Sequence, residues 1–190
     1  MQRERGFTLV EMIVAVGLFA VVMVICVTAL LSLVDANRKA QALQSVMNNL
    51  NIALDGMVRG VRMGSNYHCG QGGSYSAPAD CPLGDTLLAF EPFHEGAGAV
   101  APWLYWFAAD QNGVGRLYKS EDGTLASGVP ITAPEVSIDS VTFYVIGSLT
   151  SDNLQPKVLV VIRGTAGGSK VTVRTTFHIQ ATAVQRVLDL

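Results

Sequence analysis

The chain has 190 residues, of which 49% are hydrophobic and 15% are charged, and its formal net charge is −2 at pH 7. A mildly acidic net charge gives no electrostatic reason to expect binding to phosphate backbones, so we expect no nucleic-acid partner. The length beyond Met63 is enough for one modest globular core.

A long apolar segment near the start is the first feature of the chain. From Met12 to Val34 it contains no charged residue. At about 1.5 Å per helical residue, a segment of this length can cross a hydrocarbon core of about 30 Å. It is too long for the apolar region of an ordinary secretory signal. Arg3 and Arg5 precede it, which places the N-terminus in the cytoplasm and the remainder outside by the positive-inside rule.

Glu11 lies immediately before Met12, four residues into an apolar run that begins at Phe7. An acidic side chain at the centre of a membrane helix costs about 2.5–3.5 kcal/mol on insertion scales. A plain single-pass anchor, which length and composition alone also allow, gives no reason for such a residue.

The residues before Glu11 supply a reason, because Gly6-Phe7-Thr8-Leu9-Val10-Glu11 resembles the signal of type IV prepilins and type II secretion pseudopilins. In that family a short basic leader ends in Gly, and a membrane peptidase removes it and methylates the new amino terminus. The resemblance implies that 1–6 is the leader, that cleavage falls between Gly6 and Phe7, and that Phe7 is N-methylated.

The same resemblance implies a function. The chain is expected to be a structural subunit of a type IV pilus or a type II secretion pseudopilus, with no enzymatic activity and no cofactor. Its expected partners are other pilin-like subunits, the prepilin peptidase and the inner-membrane assembly platform. Before assembly it is expected to span the cytoplasmic membrane once, with its C-terminal head in the periplasm or at the cell surface. We hypothesise that Glu11 pairs with the Phe7 amine of a neighbouring subunit, so that each charge offsets the desolvation of the other.

Three alternatives concern the role within or beside this family. Many major pilins have a proline where this chain reads Val27-Thr28-Ala29, and this difference argues against a major subunit. Residues 19–23 and the size of the head look more like a minor pseudopilin of the J or W type. A pilin-anchored adhesive or substrate-binding tip module would need exposed aromatics or a pocket beside Cys69 and Cys81. A membrane-tethered enzyme would need a cleft with convergent polar groups, which the sequence does not indicate.

The helical pattern continues beyond the membrane segment. Apolar residues recur at alternating steps of four and three, namely Ala36, Ala40, Leu43, Met47, Leu50, Leu54, Met57 and Val61. This stripe predicts an amphipathic stem helix over 35–63, ending near Gly64-Ser65-Asn66. Packing on a sheet is favoured over a self-paired coiled coil, because the rest of the chain is rich in strands that need a cover.

Residues 64–190 predict a β-rich head. Residues 65–101 are rich in Gly, Ser, Ala and Pro and are interpreted as a long, partly irregular excursion. Strands are predicted at 103–107 and 115–119 around an Asn-Gly hairpin turn, and at 136–145, 157–163 and 170–179. The predicted fold class is α+β and pilin-like. The chain divides into leader 1–6, transmembrane or filament-core helix 7–34, stem 35–63 and head 64–190, with the helix packed on one antiparallel sheet.

Cys69 and Cys81 lie in the excursion on the exported side, where oxidising conditions favour a disulfide. Such a bond stabilises a fold by about 3 kcal/mol in the chain-entropy model. Unpaired thiols are one alternative. A metal site that adds His68 and His94 is another, but its spacing fits no zinc motif, so no metal is expected. Cys26 is interpreted as a small apolar side chain in the membrane segment.

Two further patterns are candidates for a site. Gly164–Lys170 superficially resembles a phosphate-binding loop, but Ser169 stands at the second glycine position and no helix is predicted to follow, so we predict a hairpin turn. The aromatics of 103–107 alternate between the two faces of a strand. Either that strand is covered twice, or it leaves an exposed aromatic as the best candidate for a partner contact.

Overall fold

The computed structural model describes residues 6–94, 100–134, 136–149, 151–166 and 174–186. These residues form one α-helix and nine β-strands. They fall into two compact units, one up to Gln41 and one from Ala42 onward. All buried residues of the described chain belong to the second unit, which we call the head unit.

The helix is α1 (Leu9–Met63), and the strands are β1 (Ser65–Cys69), β2 (Cys81–Asp85), β3 (Leu87–Glu91), β4 (Trp103–Ala109), β5 (Gly115–Ser120), β6 (Val129–Pro130), β7 (Val136–Ile146), β8 (Lys157–Ala166) and β9 (Thr175–Val184). They pair into a five-stranded sheet of order β1-β3-β4-β5-β6 and a four-stranded sheet of order β2-β7-β8-β9. Every pairing between these named strands is antiparallel. The architecture is therefore the predicted α+β, pilin-like one, but with two sheets in place of one.

The partly irregular excursion predicted at 65–101 contains three strands that the sequence pattern does not predict, β1, β2 and β3. The short apolar run of β3 does not alternate, since both of its faces are covered. Leu88 and Phe90 face the main core, whereas Leu87 and Ala89 belong to a second, smaller cluster. A strand buried on both faces has no period-two signal, and a five-residue run cannot otherwise be told from a loop by pattern.

The C-terminal part of α1 packs in the main core through Val46, Leu50, Leu54, Met57 and Val61. The predicted stripe is confirmed from Leu50 to Val61 but wrong at its start. Met47 is 38% exposed and Val46 takes its place, while Ala36 and Ala40 are exposed in the other unit. Positions 46, 50 and 54 share a face because four residues make slightly more than one turn.

The end of α1 is closed by contacts from the adjacent strand β1 and from the residues that follow β9. The Tyr67 hydroxyl lies 2.6 Å from the Val61 carbonyl oxygen and 2.7 Å from that of Gly64. Gln185 Nε2 donates to the same Gly64 oxygen at 3.0 Å, and the Arg186 amide donates to the Arg62 carbonyl at 2.8 Å. These bonds satisfy carbonyls that a helix end leaves without intrahelical partners.

The last strand is displaced from its predicted position. We predicted 170–179, but β9 runs from Thr175 to Val184, and residues 170–173 lie outside the described residues. Because β8 extends to Ala166, its full length pairs with Thr175–Val184. The alternation of Gln180–Val184 is weak in sequence, since Ala and Thr contrast little in hydrophobicity.

Candidate functional site

The start of α1 is built around a reciprocal pair of hydrogen bonds between Thr8 and Glu11. The Thr8 hydroxyl lies 3.3 Å from the Glu11 amide and accepts its hydrogen bond. Glu11 Oε2 in turn accepts from the Thr8 amide at 3.1 Å and from the Thr8 hydroxyl at 3.0 Å. This is a capping box, with Thr8 at the N-cap and Glu11 three residues later. The carboxylate also lies at the positive end of the helix dipole.

Gly6 and Phe7 precede the helix and are exposed, and Phe7 is 83% accessible. Together with Thr8 and Glu11 they line one open concavity. The peptide bond between Gly6 and Phe7 therefore lies in non-helical chain two residues before the first residue of α1. Glu11 uses only Oε2 in the cap, so Oε1 has no hydrogen bond within the described chain. This arrangement offers an accessible bond and an oriented carboxylate rather than a catalytic centre.

The apolar part of α1 has no cover in its own unit. Its large side chains from Leu9 to Val34 are between 39% and 75% exposed. Among the described residues, α1 is the one helix long and apolar enough to cross a membrane. Cys26 is exposed in this segment, and the Thr28 hydroxyl donates to the Val24 carbonyl at 2.8 Å. An uncovered apolar helix of this kind needs lipid or other helices around it.

In the head unit, Cys69 and Cys81 form a disulfide with 5.6 Å between their Cα atoms. Because the two sulfurs are bonded to each other, they cannot serve as thiolate ligands of a metal. His68 is buried and its Nδ1 lies 2.8 Å from the Ala77 carbonyl oxygen, whereas His94 is exposed. The disulfide and this bond hold the segment between β1 and β2 on the head.

Asp80, beside the disulfide, ties that segment to the turn after β7. Its Oδ1 accepts from the Ser148 amide at 2.8 Å and from the Ser148 hydroxyl at 2.6 Å, and its Oδ2 accepts from the Gly147 amide at 3.0 Å. Asp80 has no signal in the local sequence, because its partners Gly147 and Ser148 lie more than sixty positions away.

Two other aspartates shape loops of the head and were not identified as functional in the sequence. Asp110 caps the hairpin between β4 and β5. The pKa of its carboxyl is held below the ordinary value, chiefly by the hydrogen bond from Arg116 and next by the one from the Val114 amide. The Asp122 carboxylate accepts hydrogen bonds from the hydroxyls of Ser120 and Ser127 and from the Thr124 amide. These bonds hold the pKa of Asp122 far below the ordinary value, and the bond from Ser120 has the largest effect. Their local signal is an Asp at the start of a Gly-containing turn.

The aromatic strand β4 is covered on both faces. Tyr105 and Phe90 stack in the main core with 5.9 Å between ring centroids, and Trp106 stacks on Tyr118 on the other face at 5.6 Å. Gly128 lies so close that a Cβ there would be 2.0 Å from the Trp106 ring. Tyr105 is 1% and Trp106 9% exposed, so neither is the exposed aromatic that the sequence pattern allows in this strand.

The segment that resembles a phosphate-binding loop begins inside a strand. Residues 164–166 are part of β8, and 167–170 lie outside the described residues. Glycine is required at 164 for packing, because a Cβ there would lie 2.5 Å from the Phe177 ring.

Comparison with known families agrees with the N-terminal geometry. Residues 1–27 match the family model described as the prokaryotic N-terminal methylation motif. No curated protein and no solved structure matches the chain. The matched residues include Gly6, Phe7 and Glu11 and end within the apolar part of α1. The chain thus carries the N-terminal signal of type IV prepilins and type II secretion pseudopilins.

Proposed function

We propose that the chain is a structural, non-enzymatic subunit of a type IV pilus or a type II secretion pseudopilus. The observation that carries this proposal is the methylation motif at residues 1–27, which leads into an exposed apolar helix. The partners would be the prepilin peptidase, other pilin-like subunits and the inner-membrane assembly platform.

In this proposal the peptidase removes 1–6 by cutting between Gly6 and Phe7, and the Phe7 amine is methylated. Residues 7–34 anchor the chain in the cytoplasmic membrane and later enter the filament core, 35–63 form the stem, and 64–190 form the head outside. The exposed, non-helical chain at Gly6 and Phe7 is consistent with access by a peptidase.

Glu11 would act in assembly. Its carboxylate is held by Thr8 through Oε2, and the other oxygen stays available to a cation. The amine of a processed Phe7 from a neighbouring subunit would complete the pair and offset the cost of carrying both charges into an apolar core.

We further propose a minor subunit rather than a major one. Support comes from the absence of proline in the apolar segment, where α1 runs through Val27-Thr28-Ala29 without interruption. A resemblance to the J or W type of pseudopilin would place it with heterologous partners at the initiation or tip of a filament.

The test is incorporation into sheared filaments in a host that supplies the assembly machinery. Glu11→Ala removes both charge and cap, whereas Glu11→Gln removes the charge and keeps a capping amide. We expect both variants to insert in the membrane and both to lose most incorporation. Thr28→Ala, in the same helix, is the control and should assemble normally. Normal assembly of Glu11→Gln would contradict the charge pairing, and normal assembly of both Glu11 variants would contradict the role of Glu11.

A further inference from the structure

One edge of the four-stranded sheet is formed by β9, which is ten residues long. It pairs with β8 from Thr175 to Val184 without a register shift. Its sequence, TTFHIQATAV, contains no Asp, Glu, Lys, Arg or Pro. Sheet edges in natural proteins are usually blocked by charges, proline, bulges or short length, because an open edge can pair with another chain.

The other described edges are blocked in these ways. β1 and β2 are five residues long, and each has a register shift in its pairing. β2 also contains Pro82, and β6 has two residues, one of them Pro130. The open edge of β9 is therefore particular to this strand and not a general property of the head.

The backbone of β9 has unsatisfied hydrogen-bonding capacity. In an edge strand, alternate residues point their N–H and C=O groups away from the sheet. No other described backbone or side-chain group bonds to those of 175–184 beyond the pairing with β8. Ile179 and Ala181, which pack toward the core, are only partly buried. An added strand would satisfy the backbone and cover these two side chains.

Arginines flank this uncharged edge at both ends. Arg174 precedes β9 and Arg186 follows it, and both are exposed. Arg186 also lines an open concavity of about 450 Å³ with Arg59, Arg62 and one acid, Asp55. None of these arginine side chains forms an ion pair within the part of the chain that the structure describes.

The flanking charges select between occupants of the edge. If two copies paired through β9 in an antiparallel manner, with the pairing centred on Gln180, Arg174 of each copy would lie opposite Arg186 of the other. Like charges directly opposite each other are destabilising. An extended segment with an uncharged centre and acidic residues at its ends would meet an arginine at both ends instead.

We propose that β9 is a strand-addition site for an extended segment of another protein, with an uncharged centre of about ten residues and acidic ends. Main-chain hydrogen bonds would supply affinity along the edge. The register of the bound segment and the preference for acidic ends would be set by Arg174 at one end of β9 and by the concavity around Arg186 at the other. The site lies wholly on the head unit, so it is independent of whether the chain enters a filament.

The test uses the detergent-solubilised full chain and fluorescent peptides with an alternating Thr-Val centre of about ten residues. One peptide has two Asp at each end and a second has two Lys. A third keeps the Asp ends but has proline at two neighbouring central positions, which removes amide donors from both of its edges. Binding is measured by anisotropy and located by hydrogen–deuterium exchange.

We expect the Asp-ended peptide to bind and to slow exchange within 175–184, with β2 unaffected. The Lys-ended peptide should bind at least about fivefold more weakly, and the proline peptide should not bind. Arg174→Glu and Arg186→Glu should each weaken the Asp-ended peptide roughly two- to fivefold, the effect of one exposed ion pair. Arg38→Glu in the other unit is the matched control and should change nothing.

Equal binding of the proline peptide, or protection elsewhere than β9, would overturn strand addition. Concentration-dependent protection of β9 without peptide would assign the edge to a second copy instead. Binding seen only after removal of 187–190 would assign the site to the chain's own terminal residues. Absence of binding by the Asp-ended peptide in all forms would overturn the proposal and leave the proposed filament role untouched.

Discussion

At the start of α1, one Thr and one Glu satisfy helix amides that have no intrahelical partner. The Thr8 hydroxyl accepts from the Glu11 amide, and the Glu11 carboxylate accepts from the Thr8 amide. The same contacts orient the carboxylate that the proposed assembly contact requires. Thr8 is thus a positioning residue for Glu11, and the effects of the two residues can be separated by experiment.

We predict that Thr8→Val frays the first turn of α1, at a cost of about 1 kcal/mol for the lost cap. Hydrogen–deuterium exchange in micelles should accelerate at residues 9–11. The control is Thr28→Val, because the Thr28 hydroxyl bonds to a carbonyl that the helix already satisfies. Unchanged exchange at residues 9–11 in Thr8→Val would show that the cap does not hold the helix start.

Asp122 is an exposed loop residue whose ionised form is selectively stabilised. Hydroxyls of Ser120 and Ser127, then the Thr124 amide, donate to its carboxylate and hold its pKa far below the ordinary value. The unfolded chain has an Asp pKa near 3.9, so this stabilisation is complete above about pH 5. It is lost as the pH falls through 4 toward the lower pKa of the folded state.

We therefore predict that the free energy of unfolding of the head decreases as the pH falls from about 5 to 3, and that Asp122→Asn flattens part of this decrease. Ser127→Ala, which removes one donor, should have a smaller effect in the same direction. Urea titrations at several pH values give the free energy of unfolding as a function of pH. An identical pH profile for the parent and Asp122→Asn would contradict the assigned role.

At the scale of elements, the disulfide restrains a segment that has little regular structure. Cys69 ends β1 and Cys81 begins β2, so the bond joins edge strands of the two sheets. The intervening residues are further held by Asp80 and by the His68 bond to Ala77. The disulfide therefore closes a loop whose remaining restraints are a few hydrogen bonds.

We predict that reducing this disulfide destabilises the head by about 3 kcal/mol. Both tryptophans lie in β4, so their fluorescence reports unfolding of the head. A Cys26→Ala background removes the free thiol, and that substitution alone should leave the urea midpoint unchanged. A midpoint that is insensitive to reductant would mean that the hydrogen bonds suffice to hold the loop.

Elements with a strong local pattern were predictable from sequence. The hairpin of β4 and β5 has its turn at 110–113, with Gly113 at φ +76°, and β7 begins at the predicted Val136. β3 was not predictable, because a run buried on both faces lacks alternation. The division into two sheets depends on pairings of residues far apart in sequence, such as Cys81 with Val145, and these leave no local signal.

The candidate site was more predictable than the fold of the head. Gly6, Phe7 and Glu11 stand in a fixed local pattern, so the sequence alone indicated their positions. The hydrogen bonds between Thr8 and Glu11 are also local and follow a capping-box spacing. In contrast, the open edge of β9 and the arginines around Arg186 depend on which strands pair and on where the chain ends its last strand.

At the scale of the whole molecule, the uncovered apolar segment 9–34 and the buried core belong to different units. The core contains residues from Val46 onward and none from the unit that ends at Gln41. Removal of the first unit should therefore leave the packing of the head unchanged.

We predict that a chain starting at Ala42 is soluble without detergent and unfolds cooperatively. Its urea midpoint, measured by tryptophan fluorescence, should match that of the full chain. A matched chain starting at Asn51, which lacks Val46 and Leu50, should be less stable by several kcal/mol, since each large buried side chain contributes about 2–5 kcal/mol. Aggregation or non-cooperative unfolding of the chain that starts at Ala42 would contradict the division of the protein into two units.

The central claim is that the chain enters a filament pathway through its N-terminal signal. The most direct measurement is the intact mass and N-terminal sequence of the membrane-extracted protein, with and without a co-expressed prepilin peptidase. We predict loss of residues 1–6 and a methylated Phe7 amine when the peptidase is present, and an uncut chain when it is absent. A chain that stays uncut with the peptidase, or one cut beyond the apolar segment, would contradict the account.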